Sequence, residues 1–582
     1  MKVRKESMPD YSQRRVFKLL INLSVMVFLF IIFSPSGALV FAAKFTPSTT
    51  VITNYGEVEG YAEINGTLAW KGIPYAKPPI GELRWKPPQD PDPWGHREAV
   101  NDCYPCSQFV GEAVLGSEDC LYLNIWRPNT NKQKLPVYFW IHGGSNNTGS
   151  AIYFNGARIA KRLNMVVVVI QYRLGPLGWL SHPSMRDGAD PLEDSGNFGT
   201  LDTIKALEWV QENIEAFGGN PNNIIIAGES AGSHNVMNLV ISPLGAGLFH
   251  KAISQSGGMK TATVQSGDSW TDETIMNLLN DDPWPSDVEA YLRNRTPEEL
   301  FNARMDENGS LPAHSAYKDG VVIPLGGVVT TIESGDYNKV PIILGSNEDE
   351  MKYFLRFYGL GLKSAYLNPD YYIYEPIPSG DYSWSHVFMV FSSPSISLDD
   401  IFPSDADKDL YQACGEFGSL NWRYNFVDLI ARPLREHQNK VYAYLFKWDG
   451  VEGSDYNFIF GAAHATEIPF FFGFEKDLFQ GIAFNPTNDT PGRQALSGAM
   501  MDYVGKFAHS GNPNGSGLPV WQQWSNKPGR SKTIVFDATE TDIDIFMISE
   551  EITAGDVDSK FGELYYALPS DTRNALYWFD WY

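Results

Sequence analysis

Gly228-Glu229-Ser230-Ala231-Gly232 constrains this chain more than any other stretch. It follows directly on the apolar run Ile224-Ile225-Ile226-Ala227 and leads into the helix-like residues 233–240. A G-x-S-x-G pentapeptide between a buried strand and a helix is the context of a nucleophile elbow. Glycines two before and two after the serine let the backbone close tightly without Cβ clashes. The serine hydroxyl is lifted above a sheet, and the helix N-terminus favours negative charge that develops beside it. A chemically silent Gly/Ser-rich turn is the competing reading, and the flanking strand and helix weigh against it.

The middle of the chain alternates strand and helix. Residues 136–141 form a short apolar run that ends at His142-Gly143-Gly144. Residues 165–170 are apolar throughout and almost wholly β-branched, as a strand buried on both faces requires. Residues 201–217 carry helical spacing in Ile204, Leu207, Trp209, Val210 and Ile214, and Gly218-Gly219 stops them. Further strands are expected at 252–255, 340–344, 441–446 and 533–536. Strands separated by helix-length segments predict an α/β protein, with a mostly parallel sheet covered on both faces. Thr296-Pro297-Glu298-Glu299 reads as a helix start with a structural role. Residues 353–420 are rich in Tyr, Pro, Ser and Asp with weak periodicity, and read as a long insertion after the sheet-top acid. Residues 541–582 are read as a C-terminal extension to one domain that spans 43–582.

The first 42 residues read as a signal peptide. Lys2, Arg4, Lys5, Arg14, Arg15 and Lys18 precede a 15-residue stretch, 19–33, that is apolar except for Asn22 and Ser24. As a helix it would span about 22 Å, short of a hydrocarbon core of about 30 Å. The mature chain is thus expected to be secreted or periplasmic, with no membrane span; an uncleaved N-terminal anchor is the alternative. Acidic residues outnumber basic ones 69 to 45, for a net charge of −24, so a phosphate backbone would be repelled and nucleic-acid binding is not expected. The four cysteines are Cys103, Cys106, Cys120 and Cys414, too few for a disulfide scaffold but enough for one or two bridges in an oxidising compartment. Cys103 and Cys106 form C-x-x-C, and no second C-x-x-C makes a zinc site of it.

A serine nucleophile needs a base, and the elbow architecture orders its partners Ser, acid, His along the chain. Seven histidines follow Ser230. His464 stands out, in Phe460-Gly461-Ala462-Ala463-His464, on a loop after the 441–446 strand, where a sheet-top histidine belongs. The acid should follow an earlier strand. The loop after 340–344 offers Glu348, Asp349 and Glu350, and spacing does not choose among them.

These residues and several others carry a resemblance to the type-B carboxylesterase family, which includes the cholinesterases. Gly72-Ile73-Pro74-Tyr75-Ala76 and Gly81-Glu82-Leu83-Arg84 are similar to its N-terminal motif, and Glu118-Asp119-Cys120-Leu121-Tyr122-Leu123-Asn124 to its most specific signature. Tyr172-Arg173-Leu174-Gly175, Gly196-Asn197-Phe198-Gly199 and Gly511-Asn512-Pro513-Asn514 follow in the family's order. The resemblance runs from about Tyr55 to Asp537 and implies an α/β-hydrolase fold. It implies Glu350 as the acid, from G-x-N-x-x-E, with Asp349 as fallback, and His464 as the base. The family usually has Gly where this chain has Met351, which is expected to crowd the turn. The implied oxyanion donors are the backbone N–H groups of Gly144, Ser145 and Ala231. Ser145 replaces a family glycine and Asn146 a family aromatic, so two polar side chains are expected to face the site. Cys106-Ser107-Gln108 resembles the family's C-x-Q and implies a disulfide between Cys106 and Cys120. In cholinesterases that loop carries a Trp that stacks on choline; here it has none. Arg84–Glu118 and Arg173–Asp202 resemble structural ion pairs of the family.

The implied function is a serine hydrolase that cleaves carboxylic esters through an acyl-enzyme, on neutral, short-to-medium acyl esters of small molecules. No motif indicates a metal or an organic cofactor. Amides, carbamates or lactones are alternative substrates for the same triad. A catalytically silent adhesion protein is the other class, and the presence of all three triad residues argues against it.

Overall fold

The computed structural model describes residues 45–110, 113–305, 311–355, 404–450, 455–478 and 483–567. The expected signal segment, 1–42, lies outside them, as does 356–403 of the expected insertion and 568–582 of the expected extension. The described residues from Pro47 onward group into one compact unit.

An eleven-stranded sheet organises that unit. Its strands are β1 (Tyr61–Ala62), β2 (Thr67–Pro74), β3 (Tyr122–Pro128), β4 (Leu135–Ile141), β5 (Val166–Ile170), β6 (Gly219–Glu229), β7 (Lys251–Gln255), β8 (Ile342–Asn347), β9 (Val441–Phe446), β10 (Thr533–Ala538) and β11 (Ile543–Ile548). Their spatial order is β11-β10-β9-β8-β7-β6-β4-β5-β3-β2-β1. Every pairing from β5 through β4 and β6 to β10 is parallel. Both edges are antiparallel: β3 against β5, then β2 and β1 on one side, β11 on the other. All seven strands expected from apolar runs lie in this sheet. Residues 543–548, read from sequence as extension, are its edge strand, paired from Ile543 with Ala538 to Ile548 with Thr533.

Alternate residues of the central strands feed two cores, as the period-2 pleat requires. Val137, Phe139, Ile141, Val168, Ile224 and Ile226 pack on one face with helices α2 (Phe198–Asn213) and α3 (Ala231–Ile241). Tyr138, Trp140, Val167, Val169, Ile225 and Ala227 pack on the other with α1 (Ala157–Leu163) and α6 (Pro491–Ser510). Between them in sequence come α4 (Glu350–Leu355) and α5 (Asp405–Arg423), and the C-terminal α7 (Ala554–Ala567) packs on α5. Residues 405–420, expected as part of an irregular insertion, thus belong to a helix whose Leu410, Cys414 and Phe417 share a buried cluster with Met351 and Leu355 of α4. The helix that starts after Thr296 carries a full capping box.

Two buried ion pairs brace the loops around the strand ends. Arg84 meets Glu118 at 2.6 Å, and Arg173 meets Asp202 at 2.7 Å with both side chains almost wholly buried. Cys106 and Cys120 are bonded, 14 residues apart, and Cys103 and Cys414 are free. Among the described residues, no helix is long and apolar enough to cross a membrane.

Candidate active site

β6 runs straight into Ser230, whose backbone takes φ 57° and ψ −123° before α3 begins at Ala231. A side-chain-bearing residue in that region costs about 1–3 kcal/mol, so the flanking packing must impose it. The two elbow glycines show how. A Cβ on Gly232 would stand 2.1 Å from the Ile141 carbonyl, and one on Gly228 would stand 2.5 Å from Gly232 itself. Strand, turn and helix therefore close at a distance only glycine permits, and Ser230 is left half-exposed at the sheet top.

β8 ends at Asn347, and the three carboxylates that follow separate cleanly. Glu348 pairs with Lys447 at 3.0 Å. Asp349 pairs with Lys352 and accepts the Ala462 N–H at 3.1 Å, which ties the acid loop to the histidine loop. Glu350 is fully buried. Its Oε1 accepts the Asn347 N–H at 2.8 Å, and its Oε2 lies 2.6 Å from His464 Nδ1. As the first residue of α4, it also sits where a helix favours negative charge. Met351 does not crowd the turn as expected from the family glycine. Its side chain turns into the α4–α5 cluster, and its N–H donates to Ser419 Oγ at 3.1 Å.

His464 Nε2 lies 3.1 Å from Glu229 Oε1, within ion-pair reach but off the hydrogen-bond axis. Among the described residues, Ser230 Oγ makes no hydrogen bond. Ser230, His464 and Glu229 nonetheless line one cavity of about 1540 Å³. The imidazole is packed among the rings of Phe354, Trp422 and Tyr353, with centroids 4.8, 5.1 and 5.6 Å away. Burial works against a charge on His464, but Glu229 first, then Glu350 and Glu467, overcome it and hold the imidazole up at about 9. Burial pushes the Glu229 carboxyl well above its ordinary range, with His464 pulling it back. Glu467 is pushed up to about 7 by burial and by Glu350; it is bound by Ser256 Oγ and Asn347 Nδ2.

The loop after β4 supplies the facing wall. Gly144, Ser145 and Asn146 all have positive φ, at 105°, 56° and 57°. Among the described residues the N–H groups of Gly144 and Ser145 have no acceptor, and that of Ala231 opens α3, where no intrahelical acceptor exists. Gly144 and Ser145 line the cavity. Asn146 does not face the site as expected. It is buried and turned inward: Nδ2 donates to the His314 carbonyl, while Oδ1 accepts from Asn235 and from the Tyr172 hydroxyl. The disulfide loop braces this wall, because the Gln108 amide exchanges two hydrogen bonds of 2.9 Å with Gly149. Sequence reasoning used Gln108 only to place the disulfide and missed its tie to Gly149. Glu229, beside the nucleophile, resembles a family position that tunes the site, with a buried, paired acid as the other reading; it is buried and stands against His464.

Three comparisons bear on what this cavity serves. The carboxylesterase family profile matches residues 47–547. Carboxylesterase 1D of Rattus norvegicus is 33% identical over 524 residues, which covers 83% of this chain and 87% of the relative. The medium-chain fatty acyl-CoA hydrolase precursor of Anas platyrhynchos is 33% identical over 528 residues, covering 84% and 89%. Among solved structures, a carboxylesterase of Geobacillus stearothermophilus superposes with a TM-score of 0.67 at 29% identity, over 88% of this chain and 99% of that one.

Proposed function

Because the chain belongs to the carboxylesterase family and is a serine hydrolase of carboxylic esters, we propose that Ser230, His464 and Glu350 carry the reaction. The observation that supports this most is the 2.6 Å contact between His464 Nδ1 and the fully buried Glu350, with His464 itself lining one cavity with the elbow serine. Glu350 holds the Nδ1–H tautomer, which leaves Nε2 with a lone pair. His464 turns that lone pair from Glu229 to Ser230 Oγ and takes its proton as the oxygen attacks the ester carbonyl. The N–H groups of Gly144, Ser145 and Ala231 receive the oxyanion. His464 then gives the proton to the departing alcohol, and water, activated by the same nitrogen, releases the acid.

The substrates proposed are esters that are neutral around the scissile bond and have short-to-medium acyl groups. The loop closed by Cys106 and Cys120 has no Trp to hold a quaternary ammonium. Tyr353 and Phe354 offer aromatic surface from α4 instead, against His464. The bonded cysteines suit the secreted or periplasmic site read from the N-terminus. A fluorophosphonate probe tests the assignment: it should label Ser230 stoichiometrically, as mapped by peptide mass spectrometry, and label nothing after His464→Ala. Labelling at any other serine would overturn it. Acetylthiocholine should show less than a tenfold advantage in kcat/KM over a neutral thioester of equal acyl length.

A further inference from the structure

At one end of the cavity lie the half-exposed Ser230 and the buried His464, with Tyr353 and Phe354 against the imidazole. Farther out the lining turns apolar at Phe154, Ile468 and Phe474, and it ends in an exposed set of bases. Arg158, Lys161 and Arg162 come from α1, and Lys476 from the loop beyond Gly473. Four cations there meet two lining carboxylates, Glu475 and Asp477, in a chain whose acids outnumber its bases 69 to 45. Glu475 is taken up by Arg158 at 2.9 Å, and Arg162 is paired with Asp502 at 3.0 Å. The buried Asp477 turns Oδ2 to the backbone N–H groups of Ala483 and Phe484. Lys161 and Lys476 have no carboxylate partner among the described residues; Lys161 donates only to the Asn65 carbonyl.

We propose that this mouth selects esters with a carboxylate at the far end of one chain, which runs along Phe154, Ile468 and Phe474 and ends at Lys161 and Lys476. The inference rests on Ser230 as the reacting centre and adds the class of substrate. It agrees with neutrality at the scissile bond, because Glu229 and Glu467 stand beside Ser230 and His464 while the cations lie at the rim. Against a net charge of −24, such a local positive field is what would draw an anionic ester to this opening and hold it in register.

The test uses p-nitrophenyl esters of ω-carboxy acids of increasing length, each beside the ω-carboxamide of equal length. Acetate esters of ω-hydroxy acids and their amides form a second series, with the anion on the alcohol half. The carboxylate-to-carboxamide ratio of kcat/KM should exceed one by about threefold to tenfold at some length in at least one series, as expected of two exposed charge contacts. It should shrink in about 0.5 M salt. The double variant K161E/K476E should bring the ratio below one and leave carboxamide turnover unchanged. A ratio at or below one at every length in both series, or one that the double variant does not move, overturns the proposal while carboxamide turnover keeps the esterase reading intact. Failure of every ester in both series would instead overturn Ser230 as the reacting centre, and this inference with it.

Discussion

His464 stands between two buried glutamates that the protein treats in opposite ways. On the Nδ1 side, both oxygens of Glu350 are engaged: a backbone N–H fills one, the imidazole sits on the other at 2.6 Å, and the helix α4 begins at this residue. On the Nε2 side, Glu229 Oε1 is 3.1 Å away yet has no hydrogen bond, and burial pushes its carboxyl up against the pull of His464. Hydrogen bonds to a charged carboxylate stabilise that charge, whereas burial without them works against it. Proximity to a histidine therefore does not make a catalytic acid. Glu350 can fix a tautomer. Glu229 can only bias how readily the imidazole keeps a proton.

The largest effect should come from breaking the Nε2 side at its intended partner. Ser230→Ala should lower kcat by about 10⁶, as for other triad nucleophiles, with the fold intact by circular dichroism. Retention of more than a few per cent of activity would mean that Ser230 is not what Nε2 serves. On the Nδ1 side, Glu350→Gln keeps shape but removes the charge that holds the tautomer, and should cost about 10⁴ in kcat. Asp349→Asn loses only the ties to Lys352 and Ala462, and should change kcat several-fold at most. If those two variants exchanged ranks, the acid would be Asp349.

This contrast marks how far the sequence could be read. The elbow was legible because Gly228 and Gly232 sit where a Cβ would strike backbone, a constraint written in residue type alone. The parallel strands were legible because burial on both faces demands runs such as 166–170. Glu348, Asp349 and Glu350 were not separable by spacing, because their fates depend on Lys447, Ala462 and His464, which come from elsewhere in the chain. Asn146 misled for a similar reason. Its polarity suggested a place in the site, but its partners, His314, Asn235 and Tyr172, lie in the interior. The edge strand 543–548 was missed because an antiparallel edge with one face outward lacks the continuous apolar run of a central strand.

A smaller effect should separate the two sides by their bracing. The Glu350 side is tied by backbone contacts to Asn347 and, through Asp349, to Ala462. The wall facing Glu229 depends on Gln108, which the Cys106–Cys120 bond holds in place. Opening that 14-residue loop with Cys106→Ser and Cys120→Ser should cost about 3 kcal/mol of stability in the chain-entropy model, read by chemical denaturation. Turnover of the folded fraction should fall through weaker oxyanion contacts, while the response of the pH profile to Glu350→Gln stays the same. A double variant as stable as the wild type would show that the bond constrains little.

The subtlest difference lies in pH. His464 is held at about 9 by Glu229 first and Glu350 second, against burial. Only the unprotonated imidazole can take the serine proton, so kcat/KM should rise as pH climbs toward about 9. Glu229→Gln removes the larger of the carboxylate effects, so the imidazole gives up its proton more easily and the rise moves to lower pH. Its plateau should change by less than about tenfold, because Glu229 holds no tautomer. Glu350→Gln should also move the rise downward, but with the plateau collapsed. Stability follows the same sign. A histidine raised from 6.5 to about 9 on folding stabilises fully below pH 6.5 and loses that contribution as pH rises through 9. The Glu229→Gln variant should therefore lose less stability between pH 6 and 10 than the wild type. An unmoved profile, or one displaced to higher pH, would show that Glu229 does not act on the imidazole at all.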